Sequence, residues 1–183
     1  NNFLEQIKKI SKDKKLFLYC FRGGMRSSLV CLWLKENGIK STQITGGYKE
    51  YRVYVKKKLE ELAHHKLLVL HGRTGSGKTE VIEYLKEQNE AVIDLEALAR
   101  HGGSAFGDLA QRKSPINQQN FENKLSEVYE KHRKNPVILL EIETIIGPIL
   151  LPQKLRQAIL AAPMVQLERN YQERVKALTK IYT

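Results

Sequence analysis

The sequence predicts an α/β protein with a mostly parallel sheet flanked by helices. Short apolar runs of strand length alternate along the chain with longer segments whose apolar residues recur at helical spacing. That alternation is typical of βαβ units, in which a helix joins two parallel strands. Two glycine-rich turns, one beginning at Cys20 and the other at Gly72, each lie between a predicted strand and a predicted helix.

The composition is that of an ordinary globular protein. The 183 residues are 42% hydrophobic and 28% charged, which suffices for one good core or two modest domains. No apolar run reaches the ~18 residues of a membrane span and no signal peptide opens the chain, so we expect a cytoplasmic protein. The two cysteines lack metal-ligand spacing, and no metal site can be named with certainty. Because the chain begins with Asn1 rather than Met, we expect a fragment.

The charge balance predicts a polyanionic partner. The net charge is +11, and we take nucleic acid as the partner that this excess favours. For any one basic cluster, a solvated helix face remains the simpler explanation. The clusters are Lys8-Lys9, Lys14-Lys15, Lys56-Lys57-Lys58, Arg112-Lys113 and Lys131-His132-Arg133-Lys134.

Residues 1–63 are predicted to form a first domain. Its elements are a partly helical lead-in over 1–15, a buried strand over 16–19, a helix over 27–36, a strand over 41–44 and a long amphipathic helix that connects to the next domain. We expect the first full helix to bury Val30, Trp33 and Leu34, and the long helix to bury a stripe formed by Tyr51, Val55, Leu59 and Leu62.

Residues 64–183 are predicted to form a second domain. Its strands are expected over 67–71, 91–94, 137–142 and 164–167, and its helices over 78–88, 119–133, 153–161 and from about 168 to the end. Two apolar helix faces are expected, formed by Phe121, Leu125, Val128 and Tyr129 and by Tyr171, Val175, Leu178 and Tyr182. The segment 101–118 has no period, and a loop of that length is usually functional.

The turn that follows the first strand of this second domain is a complete phosphate-binding loop. Its spacing, GxxxxGK[ST], lies between a strand and a helix, where backbone N–H groups and the helix dipole surround an anion. Lys78 would reach the outer phosphates, and Thr79 would offer its hydroxyl to a magnesium ion. The predicted phosphate-binding residues are Gly72, Arg73, Thr74, Gly75, Ser76, Gly77, Lys78 and Thr79.

The turn that begins at Cys20 predicts a reactive thiolate. Successive N–H groups and a helix N-terminus aimed at a sulfur favour the thiolate and lower the pKa of the cysteine. The same groups would hold an anion attached to that sulfur or attacked by it. Cys20 is the predicted nucleophile, and its cradle is Arg22, Gly23, Gly24, Arg26 and Ser27. Cys31, in the middle of a helix, is predicted to be a core residue.

The spacing Cys-x5-Arg-Ser leaves two chemistries open. Cysteine phosphatases use it to surround a phosphate group, and rhodanese-type sulfurtransferases use a related loop, usually one residue shorter, in which the cysteine carries a persulfide. Tyr19 precedes the cysteine where the commonest phosphatase pattern has histidine. The segment Gly46-Gly47-Tyr48 resembles the closing half of a rhodanese domain. The wider loop predicts a larger anion, such as a tetrahedral, phosphate-bearing chalcogen donor.

A partial rhodanese-like domain followed by a P-loop domain resembles the bacterial tRNA 2-selenouridine synthase family. The resemblance spans nearly the whole chain, although the rhodanese-like part lacks about its first half, so we expect its sheet to be incomplete. The supporting segments are Tyr19 to Ser27, Gly46 to Lys49, Gly72 to Glu80, Asp94 to Ala99, His101 to Gly107 and Gln118 to Asn123.

The resemblance implies replacement of sulfur by selenium at the 2-position of the wobble uridine of certain tRNAs. Selenophosphate would be the donor, with a selenophosphate-supplying enzyme as a possible partner, and geranyl diphosphate would first alkylate the 2-thiouridine. In this scheme Cys20 is the selenium-carrying nucleophile, the loop at 72–79 binds the diphosphate, and the basic surface binds tRNA.

Three polar residues are candidate partners of these sites. Asp94 and Glu141 each end a predicted strand, where ligands collect in such sheets, and either could hold magnesium through water. His101 begins a glycine-rich segment and is either a proton carrier or a polar loop residue. Three other functions remain open: a P-loop NTPase or kinase with a rhodanese-like docking module, a cysteine phosphatase fused to a nucleotide-binding domain, and an RNA-binding module without enzymatic activity.

Overall fold

The chain folds into two compact units. The computed structural model describes residues 2–11, 15–100, 116–141 and 145–182, with the backbone alone described for residues 2, 145 and 180–182. The units are Asn1–Tyr54 and Val55–Thr183, and the division between them falls inside a long helix.

The first unit contains a two-stranded parallel sheet with helices. Its strands are β1 (Leu16–Leu18) and β2 (Ser41–Gln43), and its helices are α1 (Asn2–Ser11), α2 (Met25–Glu36) and the first part of α3 (Gly47–Ala63). In the register of the two strands, Leu18 lies opposite Gln43. Because the strands are parallel, the loops that follow them leave from the same edge of the sheet.

The first unit buries fewer side chains than the apolar pattern predicts. Leu34 is fully buried, as expected, but Val30 is exposed and Trp33 is only partly buried, with its ring stacked on Phe3 at 6.1 Å. The expected burial of the strand at 16–19 is also wrong, because Phe17 and Tyr19 are exposed. The physical reason is that a sheet of only two strands presents too small a surface to bury the apolar side chains of this unit.

The second unit contains a four-stranded parallel sheet in the order β4-β5-β3-β8. The strand that precedes the phosphate-binding loop, β3, lies between β5 and β8 and pairs with both. This arrangement confirms the predicted α/β class with a parallel sheet flanked by helices. The elements are β3 (Leu67–Gly72), α4 (Lys78–Glu87), β4 (Val92–Ile93), α5 (Leu95–Ala99), α6 (Gln118–His132), β5 (Ile138–Glu141), β6 (Ile145–Ile146), β7 (Ile149–Leu150), α7 (Gln153–Ala161), β8 (Met164–Leu167) and α8 (Tyr171–Tyr182).

The core of the second unit follows the predicted stripes on two helices. On α6, Phe121, Leu125 and Tyr129 are buried, and on the second half of α3, Val55, Leu59 and Leu62 are buried. Seven hydrophobic residues of β3, β4 and β5 are buried as well. Those strand residues are Leu67, Val69, Leu70, Val92, Ile93, Ile138 and Leu140.

The last helix differs from its prediction. It begins at Tyr171 rather than near residue 168, because the Asn170 side chain accepts a hydrogen bond from the Glu173 amide at 2.9 Å and caps the helix. The expected apolar stripe is wrong at Tyr171 and Val175, which are both exposed. As a result, residues 168–170 form a connection after β8 instead of the first turn of a helix.

Two short elements were not predicted. A hairpin of β6 and β7 turns through Gly147, whose φ of 56° lies in the left-handed region that glycine adopts readily. A five-residue helix, α5, follows Asp94. Neither has enough residues to show a period in the sequence. Among the described residues, no helix is both long and apolar enough to cross a membrane.

Candidate functional site

The cysteine loop is a tight turn held by backbone hydrogen bonds. It leaves β1 and enters α2, and the Cys20 carbonyl oxygen accepts hydrogen bonds from the amides of Gly23 (3.4 Å) and Tyr48 (3.1 Å). The Lys49 amide donates to the Phe21 carbonyl oxygen at 2.8 Å. Backbone amides at the start of α3 therefore hold the cysteine loop in place.

Gly47 allows this close approach of the two segments. Its φ is 57°, and a Cβ at this position would overlap the Cys20 carbonyl oxygen and the Gly23 amide nitrogen. Such a backbone conformation also disfavours every residue with a side chain. The segment from Gly46 to Tyr48 therefore packs directly against the cysteine loop.

The surroundings of the Cys20 thiol favour its ionised form. The pKa of the Cys20 thiol is lowered from 9.0 to about 6, chiefly because the Ser27 hydroxyl donates a hydrogen bond to the sulfur, at an oxygen-to-sulfur distance of 3.5 Å. Partial burial opposes this effect, and the backbone amides of Ser27, Gly24 and Arg22 add to it. Hydrogen bonds to the charged form stabilise a thiolate, so the ionised form predominates at neutral pH.

Gln43 is a polar partner of this loop that the sequence analysis missed. Its side-chain amide nitrogen donates to the Gly23 carbonyl oxygen at 2.7 Å and to the Ser27 hydroxyl oxygen at 3.0 Å. Its oxygen accepts from the Ser28 hydroxyl at 3.0 Å. The signal that could have found it is its place at the end of β2, opposite Leu18, where the carboxyl ends of parallel strands meet.

The two arginines of the cysteine loop point away from the packed interior. Arg22 and Arg26 are both exposed, and they leave positive charge around the mouth of the loop. Gly24 is also open, because no atom lies within 4 Å of the position that a Cβ would take. Arg22, Gly24 and Arg26 therefore leave this side of the loop open. Cys31 is only partly buried, so the expectation that it is a core residue is met in part.

An aromatic row runs from the cysteine loop along α3. The ring of Phe21 lies 6.3 Å from that of Tyr48, which is 6.1 Å from Tyr51, which in turn is 6.5 Å from Tyr54. The three tyrosines are spaced three residues apart and so share one helix face. Phe21, at the start of the row, is 57% exposed directly beside Cys20.

The phosphate-binding loop has the strand-turn-helix context that its sequence predicts. It connects β3 to α4, with Gly75 and Gly77 at φ values of 80° and 96°. The ammonium group of Lys78 donates to the Gly72 carbonyl oxygen at 2.8 Å, so Lys78 folds back over the loop. Ser76 is 7% exposed, whereas Arg73, Thr74 and Thr79 are exposed around it.

Two further arginines lie against this loop, and the sequence analysis missed both. Arg169 follows β8 and Arg174 lies on α8, and each donates to a carbonyl oxygen of the loop. With the loop they line a cleft of about 420 Å³. Nothing in the local pattern distinguishes them from the other arginines of a basic chain; only the pairing of β8 with β3 brings them here.

The acidic candidates occupy different positions. Asp94 caps α5 by accepting from the Ala97 amide at 2.8 Å, and its other oxygen pairs with Lys86 at 2.6 Å. Glu141 is 2% exposed at the end of β5, opposite Leu70 of β3, one strand away from the phosphate-binding loop. Glu141 is therefore the acidic residue closer to that loop in the sheet order, and Asp94 already has two partners. His101 lies outside the described residues.

The structure describes no obvious metal centre. Among the described residues, no group of three or more histidine, cysteine, aspartate or glutamate side chains is placed to hold a metal ion. Of the residues that the sequence analysis associated with magnesium, Thr79 is exposed at the start of α4 and Glu141 is buried at the end of β5.

These features define a class: an α/β P-loop protein that also carries a cysteine of lowered pKa in a second strand-turn-helix loop. A family model described as "tRNA 2-selenouridine synthase AAA domain" matches residues 65–183. The chain belongs to the tRNA 2-selenouridine synthase family. No solved structure matches the chain.

Curated relatives support this assignment across both units. Proteins named tRNA 2-selenouridine synthase are 40% identical over 165 residues in Hahella chejuensis, 43% over 172 residues in Cupriavidus pinatubonensis and 38% over 178 residues in Shewanella frigidimarina. The matches cover 87%, 91% and 94% of this chain and 42%, 45% and 47% of the respective relatives. The chain therefore spans less than half the length of these relatives.

Proposed function

We propose that this chain takes part in tRNA modification and replaces the 2-thio group of the wobble uridine by selenium through an S-geranyl intermediate. The observation that carries the proposal is the presence of a stabilised Cys20 thiolate and a phosphate-binding loop in one member of this family. We take residues 1–63 as the closing part of a rhodanese-like domain with a connector helix, and residues 64–183 as the P-loop domain.

The phosphate-binding loop is assigned to the geranyl transfer. The uridine sulfur attacks the first carbon of geranyl diphosphate, an S–C bond forms, the C–O bond breaks and diphosphate leaves with the electron pair. Lys78 and Arg73 would neutralise the charge that develops on the leaving group. Magnesium, held through Thr79 and Glu141, would share that role as a Lewis acid.

The cysteine loop is assigned to the selenium step. Its amides and its exposed arginines suit the anionic donor selenophosphate, and Cys20 is the nucleophile that engages this donor. The Cys20 thiolate attacks the phosphorus of the donor, an S–P bond forms, the P–Se bond breaks, and hydrogen selenide leaves with the electron pair; water then cleaves the S–P bond and releases phosphate. At the uridine, this selenide forms the C2–Se bond, the C2–S bond breaks and the geranylthiolate leaves. A selenophosphate-supplying enzyme is the partner that this chemistry requires.

The tRNA substrate suits the surface of the chain. The net charge of +11 favours binding to a phosphate backbone. The exposed ring of Phe21, beside Cys20, offers a stacking surface to an unpaired base. We propose that the activity is cytoplasmic, because its tRNA substrate is found there and because Cys20 and Cys31 are both unpaired thiols.

The test is an assay with the 183-residue chain, a tRNA that carries 2-thiouridine, geranyl diphosphate and selenophosphate, read by mass spectrometry of the nucleosides. The wild-type chain should form geranyl-2-thiouridine and then 2-selenouridine. Cys20→Ala should stop at the geranylated nucleoside, and Lys78→Ala should form neither product. Cys31→Ala, the matched control, should form both. A wild-type chain that leaves the thiouridine unchanged, or a Cys20→Ala variant that loses both steps, would contradict the proposal.

The same preparations separate the enzymatic alternatives. Phosphate release from ATP or GTP with no change in the tRNA would favour the NTPase with a docking module. Phosphate release from an aryl phosphate, lost in Cys20→Ala, would favour the cysteine phosphatase. Binding of tRNA with neither reaction would favour the RNA-binding module.

A further inference from the structure

We propose that Arg169 and Arg174 belong to the anion site and bind the second phosphate of a diphosphate whose first phosphate lies in the loop at 72–79. This inference rests on the proposed function, because it takes the loop as a site for diphosphate. It adds two residues from outside the loop and explains how the site would distinguish a diphosphate from a monophosphate.

The sheet brings the first arginine to the loop. Strand β8 pairs with β3 in parallel, and Leu167 lies opposite Gly72, the residue at which β3 passes into the phosphate-binding loop. The chain that leaves β8 therefore emerges beside that loop, at the edge where ligands collect in parallel sheets. Asn170 caps α8, so the helix begins only at Tyr171. Glu168 and Arg169 therefore lie in the connection between β8 and α8.

Arg169 is held across the loop by two contacts. Its guanidinium donates to the Gly75 carbonyl oxygen at 3.4 Å and to the Glu80 carboxylate at 2.9 Å. The same group lies 3.1 Å from the position that a Cβ on Gly77 would take. With 28% of its side chain exposed, Arg169 is partly desolvated and close to the start of α4.

Arg174 is held by the packing of α8 against the same loop. A Cβ on Gly75 would come within 2.9 Å of the Arg174 carbonyl oxygen and 3.2 Å of the Leu178 side chain, so α8 lies in contact with the turn. The Nε of Arg174 donates to the Thr74 carbonyl oxygen at 3.0 Å. Within the part of the chain that the structure describes, its two Nη groups remain for a ligand, and they present the planar fork that binds phosphate oxygens in pairs.

The cleft that these residues line contains polar atoms without partners. The Ser76 hydroxyl oxygen and Nδ1 of His71 are both buried, and neither forms a hydrogen bond with any described residue. Both residues line the cleft, and Ser76 is only 7% exposed. Buried polar groups without partners are costly and indicate a missing ligand or water. The volume of about 420 Å³ falls in the range of small-ligand pockets.

The charge of the cleft suits an anion larger than a single phosphate. Arg73, Arg169 and Arg174 line it, together with one carboxylate, Glu168, which accepts a hydrogen bond from the Gln166 side chain at 2.9 Å. A second carboxylate, that of Glu80, pairs with Arg169 but is not part of the lining. The loop amides and Lys78 can surround one phosphate. Arg169 and Arg174, bonded to the Gly75 and Thr74 carbonyl oxygens, line the same cleft and supply the countercharge for a second phosphate.

The experiment measures binding of inorganic pyrophosphate and inorganic phosphate to the 183-residue chain by isothermal titration calorimetry. Arg169→Met and Arg174→Met should each weaken pyrophosphate binding by about tenfold or more, the size expected for a lost charge-assisted contact. Phosphate binding should change by no more than about twofold, because the loop still holds it. Lys176→Met, which removes the same charge from an exposed position of α8, is the matched control and should behave as the wild type.

The outcomes separate this inference from the proposed function. If the wild-type chain does not bind pyrophosphate, both are overturned. If Lys78→Ala loses pyrophosphate but the arginine variants match Lys176→Met, only the arginine pair is overturned. If the arginine variants lose phosphate and pyrophosphate equally, the arginines merely hold the loop in shape and the inference is again wrong. Arg174→Lys, which keeps the charge without the fork, should lie between the wild type and Arg174→Met.

Two sources could supply the diphosphate group, a prenyl diphosphate or a nucleotide. Competition by geranyl diphosphate but not by ADP assigns the prenyl source, and the reverse assigns the nucleotide. Whichever compound competes in the wild type, loss of that competition in Arg169→Met and Arg174→Met supports the role of the two arginines. Competition that is retained in both variants contradicts that role.

Discussion

At the scale of single residues, the chemistry of the cysteine loop depends on the pair of Cys20 and Ser27. The Ser27 hydroxyl carries one proton and lies within reach of two acceptors, the Cys20 sulfur at 3.5 Å and the Gly24 carbonyl oxygen at 2.9 Å. The Gln43 side-chain amide donates to the Ser27 hydroxyl oxygen. The Ser27 proton therefore points away from Gln43 and towards one of these two acceptors. Ionisation of the thiol makes the sulfur the stronger acceptor.

Replacing Ser27 by Ala should raise the pKa of the Cys20 thiol from about 6 towards 9.0, because the largest stabilising hydrogen bond is lost. In the wild-type chain the rate of alkylation by iodoacetamide should rise with pH through a midpoint near 6, since the thiolate is the reactive form. The measurement uses a Cys31→Ser background so that only Cys20 reacts. Ser28→Ala is the control, because the Ser28 hydroxyl contacts Gln43 and Gly24 rather than the sulfur. An unchanged midpoint in Ser27→Ala would contradict the assignment.

At the scale of elements, two close contacts between a turn and a helix build the two sites. The start of α3 lies against the cysteine loop at Gly47, and α8 lies against the phosphate-binding loop at Gly75. In each case the glycine permits an approach that a Cβ would block. The helix then supplies polar groups to the turn: backbone amides in the first case and an arginine in the second.

Replacing Gly47 by Ala should destabilise the first unit by about 1–3 kcal/mol, the usual cost of a strained backbone position, and by more if the loop cannot move. A Cβ there would overlap the Cys20 carbonyl oxygen, so the cysteine loop should also shift. Urea denaturation gives the free energy of unfolding, and the alkylation midpoint of Cys20 reports on the loop. Gly24→Ala is the matched control, because its Cβ would meet nothing within 4 Å. Equal losses of stability in the two variants would contradict the close packing of Gly47 against the cysteine loop.

At the scale of the whole molecule, the excess of positive charge is the property most relevant to an RNA partner. The chain carries 31 lysine and arginine residues against 20 aspartate and glutamate residues. Part of this charge is already paired: Lys58, on α3, forms ion pairs with Glu61 at 2.8 Å and Glu130 at 3.1 Å. These carboxylates raise the pKa of Lys58. Its neighbours Lys56 and Lys57 are exposed.

Binding of tRNA should weaken linearly on a log–log plot against salt concentration, because each neutralised phosphate releases counterions. Lys56→Ala and Lys57→Ala should each reduce that slope by about 0.7–0.9 if the exposed face of α3 contacts the RNA backbone. Lys58→Ala is the matched control from the same helix and should leave the slope unchanged, because its charge is satisfied within the protein. Fluorescence anisotropy with labelled tRNA gives the affinities. Equal effects of all three variants would contradict a contact specific to this face.

Much of the fold and of both loops follows from local pattern. The run Leu67 to Leu70, the glycine turn and the apolar positions of α6 carry strong signals, since a strand, a turn and an amphipathic helix each depend on residues close in sequence. The cysteine loop was predictable for the same reason. The exposed side chains of α2, such as Val30, were not, because burial depends on how many strands the sheet contains.

The sequence by itself determined the α/β class, through the alternation of strand and helix patterns along the chain. It also determined the two strand-turn-helix loops that contain Cys20, Ser27 and Lys78, because each loop rests on a spacing of at most eight residues. Only the tertiary structure decided the partners of these turns. Gln43 reaches Ser27 because β2 pairs with β1, and Arg169 and Arg174 reach the phosphate-binding loop because β8 pairs with β3. Those contacts join residues 16 to 100 positions apart, and strand pairing across such separations is set by the packing of the whole sheet rather than by any local pattern.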